Sequence, residues 1–269
     1  MKRAALTVLL IACVALAQRG RFFRRDADEE SLPKREAEFH FIRMEYTDLP
    51  QHRRGYGFVS REGMGNGWWM QDWPAAENHF TTGLQRLTRI DAGDPRHFPL
   101  TDDRIFNYPW LYATQTGYWD LSDVETARLR EYLMRGGFLV VDDFWYEQDW
   151  EIFRQTMERV LPNHPITDIA LSDPVMHVLY DIQQKDLMFI PGSRHLQRGP
   201  NGIQVVQPAG TNSAWRAIYD DKNRMVVAVN FNTDVGDAWE FADVPYYPEA
   251  MTTLAYRYGI NYVIYSMTH

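Results

Sequence analysis

Apolar positions come in short blocks along residues 38–171, and their period switches repeatedly between two and about 3.6. Phe39 and Phe41 alternating with His40 and Ile42 predict a first strand over Glu38–Tyr46. Asp72-Trp73-Pro74 predicts a helix start, and Phe80, Leu84 and Leu87 then mark one buried stripe to about Arg89. Tyr108–Thr114 is a second strand. The clearest helix follows: Ser122 and Glu125 have capping-box spacing, Val124, Leu129, Tyr132 and Leu133 supply the apolar side, and Gly136-Gly137 ends it. Phe138–Val141 is apolar without alternation, as in a central parallel strand covered on both faces, and Asp142 and Asp143 stand at its carboxyl end.

A third helix is predicted from about Trp150 to Leu161, with Ile152, Phe153, Met157 and Val160 inward and Pro162 as its stop. Ile166–Leu171 is another candidate strand. Beyond Gly202 the pattern becomes partly antiparallel: Ile203–Val206, Trp215–Tyr219, a turn at Asp221-Lys222-Asn223, then Met225–Phe231. A helix over Pro248–Tyr258, ending at Gly259, and an apolar stretch Ile260–Met267 close the chain. Strand–helix alternation of this kind predicts a doubly wound α/β sheet, with 37–269 as a single domain.

The first 36 residues have another character. Lys2 and Arg3 precede an uncharged apolar run of about fourteen residues, too short for the roughly 20 of a comfortable membrane span, and Ala15-Leu16-Ala17 offers a cleavage site. Residues 1–17 therefore read as a signal peptide, and the expected location is periplasmic or secreted. Leu10-Ile11-Ala12-Cys13 also resembles a lipobox, which leaves an outer-membrane lipoprotein anchored through Cys13 as the alternative, although Val14–Ala17 stays apolar where lipoproteins turn polar. Arg19, Arg21, Arg24 and Arg25 followed by Asp26, Asp28, Glu29 and Glu30 make 18–36 a flexible charged arm.

Cleavage would leave 26 basic against 36 acidic residues, a net charge of −10, which argues against a nucleic-acid partner. Cys13 is the sole cysteine, so the domain has no disulfide, thiolate zinc site or cysteine nucleophile. The expected partners are a small molecule, a glycan or an envelope protein, with membrane contact only through the leader or a lipid on Cys13.

Several landmarks occur in a familiar order: Phe39-His40-Phe41-Ile42-Arg43, Gly67-Trp68-Trp69 with Asp72 and Pro74, Tyr108-Pro109-Trp110-Leu111-Tyr112, Leu129–Leu133, and Gly136–Asp143. Asp234-Val235-Gly236 with Trp239-Glu240, and Gly259-Ile260-Asn261, complete the series. Taken together they resemble a bacterial family, domain of unknown function 4159, grouped with class I glutamine amidotransferase-like folds. The resemblance implies a flavodoxin-like three-layer sandwich, a mostly parallel sheet with helices on both faces and a partly antiparallel C-terminal extension. It implies no reaction, and without a cysteine the glutaminase chemistry of that fold does not carry over.

Candidate chemistry rests on carboxylates and rings. Asp142 and Asp143, beyond a strand's carboxyl end, could bind a divalent cation or supply a general base; alternatively one caps the next segment and the other pairs with an arginine. Asp234, Asp237, Glu240 and Asp243, spaced by three, suit a metal such as Ca²⁺ if they lie in a loop, or are a solvated acidic face. Trp68, Trp69 and Trp73 beside a glycine-rich loop (Gly55, Gly57, Gly63, Gly65, Gly67), with Trp145, Tyr146 and Trp150, could wall a ligand site. Asp72 joins these candidates, as does His177, which has the most distinctive context of the scattered histidines His40, His52, His79, His97, His164, His177 and His195. Ser193 lacks a Gly-x-Ser-x-Gly elbow. The readings are a non-catalytic ligand-binding or envelope assembly module, or a carboxylate- or metal-dependent hydrolase acting on carbohydrate or cell-wall material.

Overall fold

The computed structural model describes residues 36–52, 67–200 and 202–269. The leader, most of the charged arm and the glycines at 55–65 lie outside the described residues. Ala37–His269 form one compact unit. Its sheet has seven strands in the order β2-β1-β3-β4-β9-β8-β5. These are β1 (Ile42–Glu45), β2 (Arg96–Pro99), β3 (Trp110–Thr114), β4 (Phe138–Phe144), β5 (Thr167–Asp168), β8 (Ala214–Tyr219) and β9 (Met225–Phe231). β6 (Leu196–Gly199) and β7 (Gly202–Val205) pair as a separate antiparallel hairpin. β1, β2, β3, β4 and β9 run parallel, and β8 and β5 add antiparallel at one edge. This is the flavodoxin-like arrangement with an antiparallel extension, and its direction of winding reverses between β1 and β3.

Helices cover both faces because every central strand alternates two apolar sets. Phe41, Trp110, Tyr112, Phe138, Val140 and Ala228 face α1 (Ala75–Leu87), α4 (Val235–Glu240) and α5 (Glu249–Thr268). Ile42, Met44, Leu111, Leu139, Val141, Val227 and Val229 face α2 (Asp123–Met134) and α3 (Tyr146–Val160). Continuous apolar sequence on β4 and β9 is the consequence of burial on both sides.

Several boundaries differ from expectation. β1 is shorter, with Phe39 making only an isolated bridge to Ala92. β2 was not foreseen: Arg-His-Phe-Pro at a sheet edge has almost no strand signal. Leu87 (53% exposed) and Val124 (60%) face solvent, so each buried stripe is narrower than the sequence suggests. α3 begins four residues before Trp150, and the strand expected at Ile166–Leu171 shrinks to two exposed residues. α5 runs through Gly259 as one helix of 20 residues. A Cβ there would come 2.5 Å from Phe80 and 2.6 Å from Trp239, so this glycine permits close packing rather than ending the helix. None of the helices among the described residues is long and apolar enough to cross a membrane.

Candidate functional site

The period-two alternation that buries the sheet also assembles a polar row at its carboxyl ends. Arg43 continues the row of Phe39 and Phe41, Asp142 that of Phe138 and Val140, and Asn230 that of Ala228. Tyr112 stands in register with Arg43 on the neighbouring strand. Its hydroxyl donates to Asp142 Oδ2 (2.8 Å), and the Gly236 amide donates to the same oxygen (2.8 Å). Neither Asp142 Oδ1 nor Asn230 Nδ2 has a hydrogen bond of normal geometry. Burial pushes the Asp142 carboxyl up to about 7, helped by repulsion from Asp143 and opposed by the Gly236 and Tyr112 hydrogen bonds.

Asp143 would point away from Asp142 in a regular strand. The β4–β9 register shifts between Val141 and Phe144, and Asp143 takes a left-handed φ of 48°, which re-aims its side chain. Trp145 Nε1 donates to Oδ1 (2.6 Å), the Gln115 amide donates to Oδ2, and Arg194 Nη2 reaches Oδ1 at 3.4 Å. Burial raises this carboxyl to about 6, with Arg194 pulling it down and Asp237 pushing it up.

Asp72 arrives from the segment after β1. Arg43 is fully buried and ion-paired with Glu77, and its Nη1 donates to the carbonyls of Trp69 (3.0 Å) and Gln71 (2.9 Å). That anchors the segment directly before Asp72, whose φ is 65°. Asp234 caps α4 by accepting the Asp237 amide at 2.8 Å, and Asp237 accepts the Ser193 amide at 2.5 Å. The outcome is one cluster: ligand atoms of Asp72, Asp143 and Asp234 lie within 4.8 Å of one another, and so do those of Asp72, Asp237 and Glu240. Burial, then neighbouring carboxylates, pushes Asp72 and Asp234 well above the usual range; the partial exposure of Asp72 moderates the effect there. Such a set of hard oxygen donors matches Mg²⁺ or Ca²⁺ rather than a softer ion.

Gly192 lies flat against these acids, because a Cβ would fall 2.5 Å from Asp234 Oδ2 and 3.2 Å from Asp237 Oδ2. Five non-glycine residues with left-handed φ end or follow the strands at this edge: Asp72, Gln115, Asp143, Tyr146 and Asn232. Strained backbone of that kind costs on the order of 1–3 kcal/mol per residue and concentrates at functional sites.

The two carboxylate groups read separately from the sequence thus meet at Asp72, and Trp145 joins them. Other candidates do not. The Trp68 ring stacks on Tyr118 (4.3 Å) and that of Trp69 on His97 (5.3 Å), bracing the segment that carries Asp72. His177 is exposed and bonds Asp181 and the Leu171 carbonyl. Asp234–Glu240 form a helix with its cap instead of a loop, and Asp243, beyond its end, is exposed with only a 3.9 Å contact to His79. The sequence does not mark Gly192 or Arg194, and it offers His195 only as one of the scattered histidines; the glycine two residues before Arg194 is the available signal.

A family model described as Domain of unknown function (DUF4159) matches residues 57–267. The chain belongs to this family. The DUF4159 match takes in every carboxylate of the cluster and the 190–195 loop, while Arg43 on β1 precedes it. Comparison with curated proteins gives no match.

Proposed function

We propose that this DUF4159 protein is an exported ligand-binding module that takes its ligand through a divalent cation held at the carboxyl edge of the sheet. The observation that carries this reading is the convergence on Asp72 of carboxylates from separate segments, those of Asp143, Asp234 and Asp237 buried. Mutual repulsion of buried carboxylates is costly, and a cation offsets it. The location agrees, since open α/β sheets take ligands beyond the strand ends where the winding reverses. Export rests on the leader at 1–17, with 18–36 as a spacer.

Calorimetric titration with Mg²⁺, Ca²⁺ and Mn²⁺ tests the reading. Saturable binding is expected in the wild type and its loss in Asp72→Asn with Asp143→Asn, whose metal-free form should be no less stable. A folded wild type that binds none of the three ions at about millimolar concentration, weak even for extracellular calcium modules, would overturn it.

A second reading, a carboxylate- or cation-dependent hydrolase of carbohydrate or cell-wall material, draws on one observation. Asp142 at about 7 and Asp143 at about 6 bracket the range in which a carboxyl can give and take protons near neutrality. Release of reducing ends from cell-wall glycans, abolished in Asp142→Asn, would select it over the binding module.

A further inference from the structure

The loop Pro191–His195 carries a feature that the carboxylates do not explain. The Gly192 amide donates to His195 Nδ1 at 3.0 Å. A backbone N–H can only donate, so Nδ1 holds the lone pair and the neutral ring carries its proton on Nε2. Burial, then the neighbouring Arg194 charge, lowers this imidazole to about 4, so it is neutral at physiological pH. Nε2 lies 3.3 Å from Arg194 Nε. Both nitrogens bear hydrogens, and two donors cannot bond each other.

His195 is 8% exposed and packs against the Trp145 ring (4.6 Å) and Phe189 (5.5 Å). With Nδ1 taken by the Gly192 amide, its Nε2–H has no acceptor among the described residues. The Arg194 side chain is about half exposed, lies over Trp145 (4.9 Å to the centroid) and reaches Asp143 only at 3.4 Å. An oxygen about 2.9 Å from each nitrogen would bridge the pair and accept from both, one bond being charge-assisted.

The loop is held in place. The Tyr247 hydroxyl donates to the Pro191 carbonyl (2.6 Å), the Ile190 amide to Thr233 Oγ1 (3.1 Å) and the Ser193 amide to Asp237. Fixed donors pay little ordering cost when a ligand binds.

We propose that Arg194 and His195 form an oxyanion-binding subsite on the rim of the carboxylate cluster, so that the ligand carries a carboxylate or a phosphate. This rests on reading the sheet edge as a ligand site. The oxyanion would lie close to Asp143, so a cation on the cluster should strengthen its binding, and the two charges would be bridged by one ligand.

The test is a titration of the ¹⁵N-labelled protein with inorganic phosphate and, separately, acetate, with and without Mg²⁺, following His195 Nε2 and Arg194 Nε. Saturable shifts of both nuclei are expected with at least one anion, and which anion acts separates the phosphate from the carboxylate source. Arg194→Ala and His195→Phe, each checked for an intact amide spectrum, should weaken that binding at least tenfold. Failure of both anions to move either nucleus, or unchanged anion affinity in a folded Arg194→Ala protein, would overturn the subsite. Mg²⁺ alone reports separately on the carboxylates. Anion binding without Mg²⁺ binding would sink the cation reading and leave the subsite standing, and the converse would do the opposite.

Discussion

Asp142 and Asp143 are adjacent in sequence but differ in how far the sequence revealed them. Asp142 was legible because it ends an apolar run, where ligands of open sheets bind. The aim of Asp143 was not, because a left-handed φ and a register shift are set by pairing with β9. Both carboxyls are raised above their unfolded values, so the folded state holds protons that the unfolded chain releases near pH 4. The contribution is fully present below the unfolded pKa and declines as pH rises through about 6 and about 7. Thermal unfolding of the metal-free protein should therefore fall by several degrees between about pH 5 and about pH 8, and Asp142→Asn should flatten the profile. Gly192→Ala tests the close approach at the same scale. Its Cβ would collide with Asp234 Oδ2, so a loss of about 1–3 kcal/mol in denaturant unfolding is expected, together with weakened cation binding.

Capping was readable at the scale of elements, and packing was not. Ser122 Oγ accepts the Glu125 amide at 3.2 Å, and Glu125 Oε2 accepts the Ser122 amide at 2.8 Å, closing the capping box that the spacing predicts. Ser122→Ala should cost about 1 kcal/mol in denaturant unfolding. In α4 the spacing of three suggested a dense ligand loop, but it is also the interval that keeps residues on one side of a helix. Asp234, Asp237 and Glu240 share the helix and its cap, while α4 ends before Asp243 and leaves it outside. Gly259 misled for the opposite reason. Glycine is the weakest common helix former after proline, yet here the helix passes through it so that Phe80 and Trp239 can approach. Gly259→Ala improves local propensity and should still destabilise by about 1–3 kcal/mol, measurable in urea unfolding.

For the molecule as a whole, cation binding and proton release should be linked. A cation displaces protons that the buried carboxyls of the cluster retain, so affinity should rise with pH through about 6, where Asp143 ionises. At a hundredfold excess over the dissociation constant a bound ion adds about 2.7 kcal/mol of stability, which offsets part of the alkaline decline in melting temperature. Parallel titrations in buffers of different ionisation enthalpy would count the protons released; a count of zero would contradict the linkage.

The sequence by itself determined the class of fold, because strand and helix periods, caps and apolar runs are local and each residue votes independently of distant partners. It also singled out the carboxylates, since buried sheets leave few acids at strand ends. Only the tertiary structure decided that Asp72, Asp143, Asp234, Asp237 and Glu240 form one cluster, that Arg43 anchors the segment before Asp72, and that Arg194 and His195 stand beside it. Those facts depend on which strands become neighbours and on backbone conformations at their ends. Contacts between residues 72 and 240 are fixed by the packing of the whole sheet, which no local pattern encodes.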